Sequence, residues 1–258
     1  MKYFYIKLGG SYLTSKSKIE KKPSGLNEII EQIKKIYKTK KNIILGHGAG
    51  SYPHYIATKF KLKHGKNKIK NLYHLIIDEF AVEEFHYKIM EKFVKKKVPV
   101  MGFSPRNLTY YNEKKGQFII NYKPVRYALD NNIIPMVYGD NILSNNVFFY
   151  LLSTEDIFEI LMKKFPPEKI VFITDTLVKD VYGREIYKVD RKEILKIKDK
   201  KDKKFDVTGG MMGKIKKAFE FSKKYKVKVK ILNGNIRDNL IKEVLYGKGI
   251  GTEIIYKE

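Results

Sequence analysis

The chain has 258 residues, so it is long enough to bury a substantial core in one large domain or in two lobes. It contains no cysteine, which excludes disulfides, thiolate metal sites and cysteine nucleophiles and is compatible with a reducing, cytoplasmic environment. Lysine and arginine number 53 against 28 for aspartate and glutamate, and the formal net charge of +25 raises the question of an anionic partner.

The positive charge is spread along the whole chain rather than gathered in one patch. Lysines alternate with isoleucines in stretches such as 28–38, which is typical of the solvated face of an amphipathic helix. The densest run, residues 196–204, also contains two aspartates and is interpreted as a solvated loop. No uncharged stretch approaches the roughly 18 residues that a membrane-spanning helix needs. We therefore expect a soluble, cytoplasmic protein that binds neither nucleic acid nor membranes.

Strand-like and helix-like segments alternate along the chain. This alternation predicts an α/β fold, a three-layer αβα sandwich with a mainly parallel central sheet. The predicted strands cover residues 2–8, 42–45, 98–102, 133–138, 169–174, 227–232 and 252–256. The predicted helices cover residues 25–40, 71–96, 122–131, 155–164, 210–225 and 236–246.

Two segments interrupt the alternation, and each has the pattern of a β-hairpin. Residues 108–120 turn around a charged, glycine-containing centre, and residues 142–152 turn at Asn145-Asn146. The sequence Phe165-Pro166-Pro167 is a plausible junction, which would divide an N-terminal lobe, residues 1–165, from a C-terminal lobe, residues 166–258.

The first predicted strand ends in the sequence KLGGS, formed by Lys7 to Ser11. A buried strand that ends in two glycines, Gly9 and Gly10, and a hydroxyl lets the backbone approach an anion closely, and the lysine supplies a cation. These residues outline a phosphate-binding loop. The alternative is an ordinary Gly-Gly turn after an edge strand.

The second predicted strand is followed by the sequence GHGAGSYPH, residues 46–54. Open α/β sheets bind ligands beyond the carboxyl ends of their strands. The small residues at 48–51, followed by a predicted helix from Pro53, would aim backbone N–H groups at an anion. His54 would lie in the first turn of that helix, facing the same anion, and is predicted to be functional. Three other histidines, His64, His74 and His86, are interpreted as structural or surface residues.

A third glycine-rich segment, DVTGGMMGK at residues 206–214, leads into a predicted helix. Lys214 stands where that helix begins, which suits binding to a polyphosphate. The segment is not a Walker A loop, because only three residues separate Gly209 from Gly213 and Ile215 follows the lysine. The dinucleotide GxGxxG fingerprint and the protein-kinase motifs are also missing. The chain therefore has several phosphate-directed loops without the commonest nucleotide motifs.

This combination resembles the amino acid kinase family over nearly the whole chain. Within that family it is most similar to the isopentenyl phosphate kinase branch, in which a histidine follows the second glycine loop, as His54 does, and a lysine follows KLGGS, as Lys16 does. The matching motifs are KLGGS at 7–11, GHGAGS at 46–51, YGD at 138–140, STED at 153–156, ITD at 173–175, DVTGGMMGK at 206–214, and NG at 233–234 with GIGTEI at 249–254.

The resemblance implies a role for particular residues. In the catalytic set, Asp156 would hold two of the lysines through charge-assisted hydrogen bonds. The catalytic residues would be Lys7, Lys16, His54, Asp156 and Lys214. The ATP site would comprise Lys7, Gly9, Gly10, Ser11, Asp175, Gly210 and Lys214. The acceptor site would comprise Gly48, Ala49, Gly50, His54 and Thr154.

The implied reaction is phosphoryl transfer from ATP to isopentenyl phosphate, with Mg²⁺ bridging the ATP phosphates and no metal ligand assigned to the protein. Three lysines around the transferring group suit a loose transition state, in which charge spreads over the equatorial oxygens. A general base is not required, because the second pKa of a phosphate monoester is about 6. The hairpins are expected near the acceptor, and homodimers are usual among the relatives.

Three positions depart from the family pattern. Pro53 replaces the usual glycine before the histidine and removes one backbone N–H. Thr154 adds a side chain where the branch has glycine, and the sequence TDTLVKD replaces TDVDG after the fifth strand. Apolar residues of the long helix could shape an isoprenoid pocket, although such a stripe is more often core. They are Leu72, Leu75, Ile76, Phe80 and Phe85.

Two alternatives remain open at this level. A kinase for another small phosphate or phosphonate, of the fosfomycin kinase type, would share the lysine and histidine pattern and differ in the shape of its pocket. A non-catalytic nucleotide-sensing or nucleic-acid-binding protein on the same fold would use the +25 charge and tolerate the altered loops. Retention of the five catalytic side chains together argues against the second alternative.

Overall fold

The computed structural model describes residues 1–14, 26–145, 147–190, 197 and 210–256. Its strands are β1 (Tyr3–Leu8), β2 (Ile43–His47), β3 (Gly65–Lys68), β4 (Val100–Gly102), β5 (Thr109–Asn112), β6 (Gln117–Ile120), β7 (Ile134–Tyr138), β8 (Asp140–Leu143), β9 (Phe148–Leu152), β10 (Pro167–Thr174), β11 (Lys188–Val189), β12 (Val229–Asn233) and β13 (Gly251–Ile254). Its helices are α1 (Gly10–Leu13), α2 (Leu26–Thr39), α3 (Ser51–Lys59), α4 (Leu72–Lys95), α5 (Pro105–Leu108), α6 (Lys123–Asp130), α7 (Thr154–Met162), α8 (Gly210–Tyr225) and α9 (Asn239–Tyr246).

The main sheet has eight strands in the order β11-β13-β12-β10-β1-β2-β7-β4. Neighbouring strands run parallel except for β12 and β13, which are antiparallel. All six residues of β1 are buried, as a central strand covered on both faces requires. The predicted α/β fold with a mainly parallel sheet is therefore confirmed, and each predicted strand and helix has a counterpart within a few residues.

Side chains of β1 alternate between two hydrophobic cores, which follows from the period of two along a strand. Tyr3 and Tyr5 face a core that includes residues of α7 and α8. Phe4, Ile6 and Leu8 face a second core that includes residues of α2, α4 and α9. Helices thus cover both faces of the sheet.

Both predicted hairpins are present, and one gains a strand. The β5–β6 pair forms a two-stranded sheet, whereas the β8–β9 pair is joined by β3 in a three-stranded sheet. The sequence of β3, GKNK, has no apolar residue, which is why it was not predicted as a strand. Arg106 of α5 ties this region together, because its guanidinium pairs with Glu79 and Glu83 of α4 and lies 3.2 Å from Asp140 of β8.

The predicted junction between two lobes lies inside one continuous sheet. Phe165 is buried, and the carbonyl of Pro166 accepts a hydrogen bond of 2.9 Å from the N–H of Tyr3. Strand β10 begins at the next residue and pairs with β1. The division into lobes at this point stays a prediction.

Some predicted features fall outside the described residues. They are Lys16, Gly25, Asn146, the loop 206–209 and the charged run 196–204 apart from Ile197. None of the helices in the described part of the chain is both long enough and apolar enough to cross a bilayer.

Candidate active site

Two glycine loops meet at the carboxyl ends of the adjacent parallel strands β1 and β2. A Cβ atom added to Gly48 would lie 2.5 Å from the backbone nitrogen of Gly10, and one added to Gly10 would lie 2.9 Å from the nitrogen of Gly50. Both approaches are closer than a real Cβ tolerates, so only glycine fits at positions 10 and 48. The loops predicted from KLGGS and GHGAGS therefore form one continuous backbone surface.

Hydrogen bonds hold the two loops together. The N–H of Gly48 donates to the carbonyl of Leu8 at 2.8 Å. The hydroxyl of Thr14 donates to the carbonyl of Gly10 at 3.0 Å and accepts from the N–H of Ser51 at 2.9 Å. Sequence reasoning missed Thr14, because its partner lies 37 residues away along the chain.

Helices α1 and α3 both begin at this junction. The N–H groups of a helix's first turn have no acceptor inside the helix, and they lie at the positive end of its dipole. Gly50 immediately precedes α3 with φ of +73°, a conformation that favours glycine, and a Cβ there would lie 2.6 Å from the ring of Phe85. The edge of the sheet between β1 and β2 is therefore rich in backbone donors suited to an anion.

His54 is the fourth residue of α3 and is partly buried. Pro53 precedes it as the third residue of the helix, where a missing N–H does not break the intrahelical ladder. The predicted helix is present despite the departure from the family pattern, and it starts at Ser51 rather than at Pro53. The structure puts His54 at the predicted place, within one turn of the second glycine loop.

Lys7, at the carboxyl end of β1, forms a buried ion pair with Glu155 of α7. Burial by itself would raise the pKa of the Glu155 carboxyl, but the charge of Lys7, its hydrogen bond and the charge of Lys214 lower it. Glu155 is therefore an ionised partner that fixes the position of the Lys7 ammonium group. The same effect shows that Lys214, the fifth residue of α8, lies within electrostatic reach of this pair.

The expectation that Asp156 holds Lys7 is wrong, because Glu155, the residue before it, makes that ion pair. A pairing of Asp156 with Lys214, the second lysine expected, stays a prediction. Asp156 instead accepts hydrogen bonds from the N–H and the hydroxyl of Ser153 at 2.8 and 2.6 Å, and the Ser153 hydroxyl caps its N–H in return. It also bonds to His64 at 2.6 Å and pairs with Lys217 at 3.1 Å. Adjacent helix residues point about 100° apart, so only one of the two carboxylates faces Lys7. The capping-box spacing of Ser153 and Asp156 was a sequence signal for this arrangement.

Thr154 was expected to contact the acceptor, and the structure gives its hydroxyl another partner. The side chain is buried, and the hydroxyl donates to the carbonyl of His47 at 2.6 Å. Its methyl group lies 2.5 Å from the position that a Cβ atom on Gly46 would take. Thr154 therefore supports the second glycine loop from behind.

The loops after β10 and β12 continue this edge of the sheet. Asp175 follows β10, and its carbonyl accepts a hydrogen bond of 3.2 Å from the side chain of Asn235. Gly234 lies against the ring of Tyr12 in α1, where a Cβ would come within 2.4 Å. Gly210 starts α8 with φ of +63°, and its carbonyl accepts a hydrogen bond of 3.3 Å from Lys214. The predicted nucleotide residues in the described part of the chain thus lie at the carboxyl end of β1 or just after it, just after β10, or among the first five residues of α8.

Both the sequence and the fold are similar to those of known proteins. The model of the Amino acid kinase family matches residues 2–233. The isopentenyl phosphate kinase of Methanocaldococcus jannaschii is 27% identical over 267 residues, and the alignment covers 98% of each chain. The isopentenyl phosphate kinase of Arabidopsis thaliana is 28% identical over 231 residues, which cover 76% of this chain and 69% of that protein. A solved structure of an isopentenyl phosphate kinase has the same fold, with a TM-score of 0.77 at 19% identity over 98% of this chain and 99% of the other.

The buried pair of Lys7 and Glu155 predicts strong energetic coupling. Glu155→Gln should lower the free energy of unfolding by about 3 kcal/mol, because it leaves the Lys7 charge buried without its partner. Lys7→Met in the same chain should recover much of that loss. Lys7→Met combined with Asp156→Asn is the control, and its two effects should be closer to additive in denaturant titrations. If Lys7 were coupled to Asp156 as strongly as to Glu155, Asp156 would be a charged partner of Lys7, as first expected.

The His64–Asp156 hydrogen bond predicts a pH-dependent contribution to stability. This bond raises the pKa of His64, so the contribution is fully present below about pH 6.5, the pKa of an unfolded histidine, and is lost as the pH rises through the folded pKa. The loss of Tm caused by His64→Ala should therefore shrink from about pH 5 to about pH 8. In an Asp156→Asn background the same change should have no such trend. A loss that is constant with pH would contradict this assignment.

Proposed function

Because the chain belongs to the amino acid kinase family, we propose that it transfers the γ-phosphoryl group of ATP to the phosphate of isopentenyl phosphate, releasing isopentenyl diphosphate and ADP. The observation that carries the proposal is the backbone contact between Gly10 and Gly48. Two anion-binding loops in contact suit a reaction in which both the donor and the acceptor are phosphates. Kinases of this name at 27 and 28% identity support the choice of acceptor.

The first glycine loop would bind the donor. Gly10 and Ser11 would offer backbone N–H groups to the ATP phosphates at the start of α1, and Lys7 would neutralise charge on the transferring group. The N–H of Gly9 donates to the carbonyl of Ile173 at 2.8 Å, so Gly9 would contribute by letting the phosphates approach the backbone closely. Glu155 would keep Lys7 in a fixed position, so that no energy is spent on reorienting it during the reaction. Gly210, Lys214 and Asp175 would lie on the nucleotide side, and ATP would enter as its Mg²⁺ complex. Lys16 would complete the set of cations from outside the described residues.

The second glycine loop would bind the acceptor. Ala49 and Gly50 would present backbone donors, and His54 would add a side-chain hydrogen bond to the acceptor phosphate. The N–H of Gly48 already donates to the carbonyl of Leu8, so Gly48 would contribute by letting the loop approach the phosphate closely. Because that phosphate is already largely ionised at neutral pH, it can attack without a general base. Catalysis would then consist of holding two phosphates in line and neutralising their charge.

The isoprenoid tail would pack against α4. The predicted apolar stripe divides in the structure, because Leu75 and Phe85 are buried in the core whereas Leu72 and Ile76 remain exposed. Helix α3, which carries His54, lies against the beginning of α4, where Phe60 stacks on His74 with ring centroids 4.1 Å apart. Leu72 and Ile76 would therefore offer an apolar surface beside the acceptor phosphate.

A second proposal concerns assembly as a homodimer. Helix α4 carries an outward stripe with a spacing of four and three residues, formed by Tyr73, Ile77, Phe80, Glu84, Tyr87, Glu91 and Val94. Five of these seven are large hydrophobic side chains that are exposed. This spacing is the seam of a helix pair, and a second copy of the same helix would cover it in a two-fold interface.

The acceptor assignment predicts the outcome of a substrate panel. Purified protein with ATP and Mg²⁺ should release ADP in the presence of isopentenyl phosphate. Turnover only with fosfomycin, uridylate or glutamate derivatives would contradict the assignment, and tight, salt-resistant DNA binding without turnover would favour the non-catalytic alternative.

His54→Ala should lower kcat/KM by a factor on the order of 10² through loss of one charge-stabilising donor. His74→Ala is the matched control, and unchanged kinetics for the His54 variant would remove it from the site.

The assembly proposal predicts a concentration-dependent dimer in light scattering. Phe80→Asp together with Tyr87→Asp should give a monomer, because both changes place charge in the apolar stripe. Tyr246→Asp changes an equally exposed aromatic residue of α9 and should leave the dimer intact. A wild-type monomer at high protein concentration would contradict the proposal.

A further inference from the structure

Two buried histidines stand directly behind the second glycine loop, and the proposed chemistry uses neither of them. His47 ends β2 and is fully buried, and His86 of α4 is 5% exposed. Nε2 of His47 lies 2.9 Å from Nδ1 of His86, and Nδ1 of His47 lies 3.0 Å from the carbonyl oxygen of Gly48. The two ring planes are 15° apart. A chain of hydrogen bonds therefore runs from α4 to the backbone of the loop.

The Gly48 carbonyl at the end of this hydrogen-bond chain determines which ring nitrogens carry the protons. Burial lowers the pKa of His47 to about 4 and that of His86 to about 2, so both rings are neutral near pH 7. A neutral imidazole has one N–H and one bare nitrogen. The Gly48 carbonyl can only accept, so His47 carries its proton on Nδ1. Its bare Nε2 must then accept from Nδ1–H of His86.

These hydrogen bonds hold the Gly48–Ala49 peptide group in one orientation. A trans peptide is planar, and its C=O and N–H point in opposite directions. With the Gly48 carbonyl drawn to the buried His47 ring, the N–H of Ala49 points away from that ring. The first glycine loop lies close by, since a Cβ on Gly10 would be 3.8 Å from the Ala49 nitrogen.

The hydrogen bond from His47 restricts a residue, Gly48, whose backbone could otherwise adopt many conformations. The peptide before it is already held at both ends, by Thr154 at the His47 carbonyl and by Leu8 at the Gly48 N–H. At the other end of the hydrogen-bond chain, the ring of His86 packs against Gly102. A Cβ atom added to Gly102 would come within 2.2 Å of Nε2 of His86. The ring of His86 is thus confined, and its position is transmitted through His47 to the loop.

We propose that His86 and His47 are positioning residues whose hydrogen bonds hold the Gly48–Ala49 peptide with the Ala49 N–H directed at the acceptor phosphate. The identity of that anion rests on the proposed function. The orientation of the peptide does not, because it follows from the contacts of the protein alone.

The first test reads the protons directly, without substrate. Protein labelled with ¹⁵N-histidine should give two neutral rings in the Nδ1–H tautomer in long-range ¹H–¹⁵N spectra near pH 7. The chain has five histidines, so single substitutions to glutamine assign each signal. Observation of His47 or His86 in the Nε2–H tautomer, or protonated, would overturn the proposal whatever the enzyme's substrate is.

The second test separates positioning from general support of the fold. His86→Leu removes the donor, and KM for the acceptor should rise about tenfold, the equivalent of one hydrogen bond, while KM for ATP stays unchanged. His86→Asn keeps an N–H donor near the position of Nδ1 and should restore most of the acceptor affinity, even if both variants lose Tm equally. Parallel changes in both KM values, or no rescue by asparagine, would overturn the proposal. Inactivity of the wild type toward isopentenyl phosphate would count against the proposed function only. The KM values of the two His86 variants would then be compared for the acceptor that the enzyme does use.

Discussion

The contact between the backbones of Gly10 and Gly48 is the constraint on which the rest of the site depends. It requires β1 and β2 to be parallel neighbours, so that their carboxyl ends meet, and it requires that neither residue has a Cβ atom. The surrounding groups then act on one loop or the other. The Lys7–Glu155 pair lies at the first loop, the His47–His86 pair and Thr154 lie behind the second, and Thr14 joins the two.

This arrangement suits a reaction between two anions. Two phosphates repel each other strongly at short range, so a site that brings them together must supply positive charge that is already in place. Backbone N–H groups at two helix N-termini give such charge without flexible side chains, and a lysine fixed by a buried carboxylate adds a full charge. The high net charge of the chain contributes a general attraction for anions. The specific arrangement, however, comes from a few fixed groups at the edge of the sheet.

The sequence predicted the parts of this structure that local patterns encode. Alternating strands and helices, the two hairpins and the glycine loops after β1 and β2 all have short-range signatures, and all are present. Contacts between distant segments were harder to predict. Whether Glu155 or Asp156 faces Lys7 depends on the orientation of α7, and the link from His86 to His47 spans 39 residues. Both histidines look unremarkable in the sequence, and His86 was interpreted as structural or surface. Strand β3 was missed because its side chains are polar or absent, so that pairing with β9 rather than burial defines it.

In the proposed reaction, a phosphate accepts the phosphoryl group between the two glycine loops. The most direct measurement is ³¹P NMR of a single mixture of the protein, ATP, Mg²⁺ and isopentenyl phosphate. The monoester signal should be replaced by the two coupled signals of a diphosphate at the same rate as ADP appears. Release of inorganic phosphate from ATP while the monoester signal stays unchanged would contradict it.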